Sequence, residues 1–243
     1  MSFANFTNLT AELFRQFNLA GTLNGVVAVR GDFDIVHDEV IALSPTQLPF
    51  QWADGYDRDP HDSLLVRPSD FVPFKPGTDL TVLGTTFSPR GEPCPQWTCG
   101  VRVVGKLEKV ICVHGPRFWK PKFSAARISL LGPEAEPKFL GWQLSPSELV
   151  TSVPLSWRLA HGGSRPTRPT QEGPPELHAF NGLGPGLLDV NFSPKDRELK
   201  APQIESLEDP VCDWRQDPLP QGFAPIPPWW RSRQRHVGTI DQA

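Results

Sequence analysis

The sequence predicts a mainly β protein, with antiparallel sheets forming a sandwich or open barrel and long Pro/Gly-rich connections between them. Three observations lead there. The 28 prolines among 243 residues are about twice the usual share, and with 20 glycines they leave little room for long helices. The run from Trp97 to His114 (WTCGVRVVGKLEKVICVH) carries two β-branched stretches around Gly105-Lys106, a glycine-first pair of the kind that closes a tight hairpin. The run from Ser69 to Gly91 (SDFVPFKPGTDLTVLGTTFSPRG) closes one turn at Lys75-Pro76-Gly77, builds a strand over Leu80 to Phe87, and turns again at Ser88-Pro89-Arg90-Gly91.

The elements follow in order. Thr10 to Phe17 reads as a strand or a short helix, and periodicity does not decide between them. Leu23 to Leu43 gives two apolar runs around Arg30-Gly31-Asp32, a hairpin whose second arm has no cleanly apolar face and suits an edge or an interface. Ser44 to Pro68 is a long connection. After Trp119 the chain is broken by prolines as far as Glu148, with a strand expected at Phe139 to Leu144. Gly162 to Pro175 (GGSRPTRPTQEGPP) has almost no apolar residue and reads as a flexible loop open to proteolysis. Residues 1–243 are therefore expected to form a single β domain, with a candidate subdivision near 162–176. The tail from Pro218 is too rich in proline for a central strand or a helix.

Composition narrows the function classes. A hydrophobic share of 38% is adequate for a buried core, and a formal charge of −3 gives no overall basic field to attract nucleic acid. The first residues lack a basic start and a continuous apolar stretch, and no run approaches the length of a membrane span. A cytoplasmic location is expected. Cys94, Cys99, Cys112 and Cys212 show no C-x-x-C spacing and read as reduced thiols, with a Cys94 to Cys99 bridge left open.

Each chemical motif has an ordinary explanation that outweighs it. Asp54, Asp57, Asp59, His61 and Asp62 offer oxygen and nitrogen ligands but match no EF-hand spacing, so they read as turn-capping residues. His161-Gly162-Gly163 is like an oxyanion-hole loop, yet the G-x-S-x-G nucleophile elbow is absent and a backbone turn is favoured. Cys94, Cys99, Cys112 and His114 are candidate zinc ligands without the paired short spacing of a zinc site, although Cys112 and His114 face the same way on a strand. The expectation is a protein with no catalytic residues, no metal and no cofactor. Trp229 and Trp230, set between a polyproline-like arm and Arg231, Arg233 and Arg235, are the candidate partner-binding residues, since Trp and Arg dominate binding hot spots; docking back onto the domain is the competing reading. Trp52, Trp97, Trp119, Trp142, Trp157 and Trp214 are expected in the core.

The order of these pieces resembles the adaptor or chaperone proteins of bacterial type VI secretion. The resemblance rests on five ordered segments. They are the Ser69 to Gly91 run with Lys75, Pro76, Gly77, Asp79, Gly84 and Gly91; the Val101 to Trp119 run with Gly115, Arg117 and Trp119; Val153 to Gly163 (VPLSWRLAHGG) with Gly162 and Gly163; Glu208-Asp209-Pro210; and Gly222 to Arg233 (GFAPIPPWWRSR) with Gly222, Phe223 and Pro225. Gly238-Thr239-Ile240-Asp241 also looks like a family element. The chain departs from the pattern at His161, where an aromatic residue is usual, at Pro116, where an acidic one is usual, and at Ala224, which replaces a glycine. Asn181 to Gly186 (NGLGPG) only loosely echoes the family's glycine loop, and the continuation that many members carry is not present after Ala243. The resemblance implies a non-catalytic adaptor that binds a type VI secretion effector, or its PAAR-type spike-tip domain, and loads it onto the VgrG spike. The alternative is a β-sandwich that binds carbohydrate or another small ligand through exposed tryptophans.

Overall fold

Backbone pairing, not helix, organises the computed structural model, which describes residues 3–17, 21–58, 63–72, 77–124, 138–165, 176–186 and 198–234. Contacts divide the chain into two compact units, one made of residues 1–80, 225–229 and 233–243, the other of 81–224 and 230–232. The division falls at Leu80; most of the segment expected to subdivide the chain, residues 166–175, lies outside the described ones.

In the first unit β1 (Thr10–Phe17) and β2 (Leu23–Arg30) form an antiparallel pair in unbroken register from Thr10 opposite Arg30 to Phe17 opposite Leu23. The strand reading of Thr10 to Phe17 therefore holds, and the expected Leu23 to Leu43 hairpin does not. An eight-residue ladder with the preceding strand claims β2, whereas β3 (Phe33–Asp34) pairs only with β4 (Ala42–Leu43). Arg30-Gly31-Asp32 is a corner between these two hairpins. Further on, β5 (Gly55–Tyr56) pairs with β6 (Leu65–Arg67) through an irregular register.

The second unit contains β7 (Thr85–Phe87), β8 (Gln96–Val103), β9 (Leu107–His114), β10 (Phe118–Phe123), β11 (Phe139–Leu144), β12 (Ser152–Pro154), β13 (Ser164–Arg165), β14 (Glu176–Leu177), β15 (Leu199–Lys200) and β16 (Ile204–Glu205). Two three-stranded antiparallel sheets, ordered β11-β10-β15 and β16-β9-β8, carry most of it. No sheet closes into a barrel among the described residues. The central hairpin is present with a longer loop than expected. Val103 faces Leu107, and the Lys106 amide donates to Val103 O at 2.9 Å with Gly105 at φ 70°, the positive value that the third position of a type II turn requires.

Two further expectations shift. The strand read over Leu80 to Phe87 shrinks to Thr85–Phe87, because β12 is three residues long and the remaining partners come from loops: Val82 N bonds Phe223 O, and Gly84 O accepts from Leu155 N. The Phe118–Phe123 stretch pairs despite Pro121, since β15 reaches only Phe118 and Trp119 and leaves Pro121 facing no ladder on that side. The expected strand at Phe139 to Leu144 is present.

Trp119, Trp142, Ala201 and Val211 form a buried cluster, with Phe139, Leu144, Leu199 and Trp214 packed against it. Trp97 and Trp157 are also buried. Trp52 departs from the core expectation: it is 68% exposed, with one ring face stacked on Phe71 at 4.0 Å. All four cysteines are free thiols, so no Cys94 to Cys99 bridge forms. No helix among the described residues is long and apolar enough to cross a membrane.

Alternation along β9 separates core from surface sharply, with Ile111 fully buried and its neighbour Val110 at 43% exposure. Replacing Ile111 by Ala should cost about 2–5 kcal/mol in urea denaturation, while Val110→Ala should cost under about 1 kcal/mol. Equal losses would contradict the register.

Candidate functional site: an open strand edge and two buried polar clusters

Leu23–Arg30 reads LNGVVAVR, whose β-branched residues favour an extended backbone, and β1 satisfies only one of its two edges. Among the described residues no other backbone group bonds to β2. Beside β2 runs a groove of about 420 Å³ lined by Val26 to Gly31 with Phe50, Asp70 and Val72 opposite. Its five consecutive strand residues, Val26 to Arg30, give it a length of about 17 Å. Val27 and Val29 are more than half exposed.

The groove's polar end is fixed. Arg30 donates to Asp32 at 3.1 Å and to Asp70 at 2.9 Å, and the same Asp70 oxygen accepts from Gln51 N at 2.7 Å. These hydrogen bonds raise the Arg30 pKa despite its burial and hold Asp32 below the usual carboxylate range. Beside the groove, Phe71 packs on the lining residue Phe50 with ring centroids 5.3 Å apart, and edge-on against Phe14 at 5.1 Å. The result is a slot with one hydrogen-bonded polar terminus and a free backbone edge.

The aromatic-arginine tail behaves mostly as a docked segment. In the second unit Trp230 is buried edge-on against Trp157, and the exposed Arg231 donates its amide to Ala179 O. In the first unit Arg233 donates to Ile226 O at 2.6 Å and lies 3.6 Å from Asp79, while Trp229 stacks on Tyr56 and stays 49% exposed. Burial, with Asp54 beside it, pushes the Tyr56 hydroxyl up to about 12. Among the described candidate binding residues, Trp229 and Arg231 present appreciable surface. Arg235, Lys75 and Pro76 lie outside the described residues.

Several motif glycines are placed by close backbone packing. Gly162 (φ 144°) and Gly163 (φ 102°) sit where a Cβ would run into the carbonyls of Asn181 and Gly184. The fully buried Asn181 side chain donates to Trp157 O and His161 O at 2.9 Å and to Ala160 O at 3.3 Å. The NGLGPG segment is thus the partner of the double glycine, a pairing no linear reading showed. Because Gly162 N and Gly163 N already donate to Pro185 O and Asn181 O, neither is free to serve as an oxyanion donor. A Cβ on Gly115 would meet Glu148 O, and one on Gly222 would lie 3.1 Å from the Trp157 ring. Gly91 (φ 72°) closes the SPRG turn; Gly77 and Gly84 have open space around them. Phe223 and Pro225 are buried, and Asp209 and Pro210 are exposed.

Two titratable clusters stand out. In the first, Glu205, 5% exposed, accepts from His114 Nε2 at 2.7 Å, from Val211 N at 3.0 Å and from Arg117. Burial pushes its carboxyl up, but the His114 hydrogen bond and the Arg117 charge outweigh that and leave it below the usual value. In the second, Asp217 Oδ1 accepts from His161 Nε2 at 2.9 Å and His178 Nε2 at 3.1 Å. Burial alone would raise Asp217, and the two imidazoles bring it down; His161 is itself lowered, chiefly by burial. The candidate zinc ligands weighed in the sequence do not come together as a set: His114 groups with Cys112 and Glu205, without Cys94 or Cys99. The acidic loop behaves as capping residues, Asp54 accepting from Ser69 N and Asp57 from Leu64 N, both at 2.8 Å, while residues 59–62 lie outside the described ones.

Fold and site define a mainly β, two-unit protein with an open strand edge and a double glycine packed against a glycine-rich loop. A family model matches residues 20–243, and the chain belongs to the bacterial family described as "Uncharacterized protein conserved in bacteria (DUF2169)". No curated protein and no solved structure showed significant similarity to it.

Acid should weaken the second unit in two stages. A His whose folded pKa lies below its ordinary value contributes stability that is full above about 6.5 and is lost as pH falls beneath that; lowered carboxyls such as Asp217 and Glu205 give theirs up at more acid pH. The urea midpoint should drop between pH 7 and pH 5, and His161→Phe, which cannot titrate, should flatten that slope. An unchanged slope in the variant would remove His161 from the account.

Proposed function

We propose that this chain is a non-catalytic adaptor that holds a type VI secretion effector, or its PAAR-type spike-tip domain, by strand addition, and delivers it to the VgrG spike. The observation that carries the holding step is the free β2 edge bordered by the groove of Val26 to Gly31, Phe50, Asp70 and Val72. An extended client segment laid along β2 exchanges backbone hydrogen bonds there, each worth about 0.5–1.5 kcal/mol net, and each Val- or Leu-sized side chain it buries adds about 1.5–3 kcal/mol. Four or five such residues offset an association cost on the order of 4–15 kcal/mol. The type VI setting rests on the five ordered segments shared with that adaptor family.

The exposed outer face of Trp52 favours a second reading, a sugar stacked on that ring. Co-expression with the products of neighbouring genes, followed by size exclusion, separates the two. A stoichiometric complex with a toxin or spike-tip protein supports the adaptor reading, whereas a lone monomer that binds glycans overturns it. Val27→Lys with Val29→Lys places charge at two exposed positions and blunts the edge, so the fold should persist while client affinity falls about tenfold or more. Undiminished binding by that variant would exclude β2 as the client edge.

A further inference from the structure

We propose that Cys112, His114 and Glu205 form a three-ligand site for a thiophilic divalent metal, with zinc the first choice. The arrangement follows from strand geometry. Cys112 and His114 are two apart on β9 and share a face, and Glu205 on β16 lies directly opposite Cys112 in the antiparallel register. Cys112 Sγ is 3.4 Å from His114 Nε2, which is 2.7 Å from Glu205 Oε1, and the three ligand atoms all lie within 4.8 Å of one another. Tetrahedral zinc with ordinary bond lengths separates its ligand atoms by roughly 3.3–3.6 Å. The sulfur–nitrogen distance already fits, and the nitrogen–oxygen pair has to open by about 0.6 Å on that same geometry.

The outer groups are also in place. With Nε2 on the metal, the His114 proton moves to Nδ1, which lies 3.3 Å from Ser147 Oγ and donates to it. Glu205 Oε2 is held by Arg117 and Val211 N, leaving Oε1 as a monodentate ligand. Arg117 lowers the donor strength of that carboxylate, so the thiolate sets the preference, and a site with one sulfur and one imidazole selects zinc over magnesium or calcium. Cys112 is half-buried and gives the ion its way in.

The second cluster makes a useful contrast. His178 Nδ1 accepts from Phe180 N at 3.2 Å and Asn181 N at 3.1 Å, so the ring proton sits on Nε2. That is the nitrogen facing Asp217, and binding a metal there would take the proton both backbone amides exclude from Nδ1. Similar ligand types are present, yet the hydrogen-bond pattern disqualifies them.

The inference is independent of the groove and of the adaptor reading. The test uses the full chain, stripped with a chelator and titrated with cobalt. One equivalent should give a thiolate-to-cobalt charge-transfer band that zinc abolishes. Cys112→Ser should remove the band and weaken zinc binding about tenfold or more, with the fold checked by circular dichroism, while His178→Gln should keep both. In the unaltered protein, zinc should slow alkylation of Cys112 and leave the exposed Cys212 unaffected. No band, a band that survives Cys112→Ser, or equal protection of Cys112 and Cys212 would overturn the proposal.

Discussion

Leu199 to Glu205 is the piece of chain on which the second unit depends, because it belongs to both three-stranded sheets. Its first residues pair with β10 as β15, and its last pair with β9 as β16. Between them Ala201 N bonds Arg117 O at 2.9 Å, His114 N bonds Gln203 O and Gln203 N bonds Leu159 O, both at 2.7 Å, and the Gln203 side chain donates to His114 O. Seven residues thus tie two sheets and a connecting loop together. Glu205 ends the segment as a buried carboxylate, which is tolerated only because Arg117, His114 and Val211 N supply donors to it. Losing one of those donors would strand charge in the interior, a far larger penalty than losing a surface ion pair.

The double glycine obeys a similar constraint through space, not charge. Gly162 and Gly163 lie against the Asn181 to Gly186 loop too closely for any side chain, and Asn181 ties off three carbonyls at that contact. His161 precedes the contact and points to Asp217, so a titrating ring stands at a position whose neighbours are otherwise fixed by backbone geometry. The double glycine of this unit therefore holds shape, while an open strand edge lies along β2.

Legibility in the sequence followed the range of the interactions. The Trp97 to His114 hairpin was readable because Gly105 and strong alternation are local signals, although the loop proved one residue longer. The Leu23 to Leu43 hairpin misled because Thr10 to Phe17 fits a helix or a strand, and only the ladder with β1 decides which neighbour β2 takes. Glu205 gave no signal: it is one acid among 27, and its partners lie about ninety positions away at His114 and Arg117. Cys112 and His114 were visible as a same-face pair, but their third member was not. The groove had no linear signature, since Phe50, Asp70 and Val72 approach β2 only after folding. Trp229 and Trp230, adjacent in sequence, divide between two units and differ sixfold in exposure, a split that composition cannot express.

The central claim is that the open edge of the eight-residue strand β2, beside a groove that ends on the Arg30–Asp70 ion pair, takes up another backbone. Hydrogen exchange measured with and without the co-purified client tests it most directly, because backbone amides report strand addition where side-chain contacts do not. The account predicts new protection of amides within Val26 to Val29, with the second unit's exchange unchanged. Protection confined to the second unit, or to the Trp229 segment with β2 still exchanging freely, would contradict it.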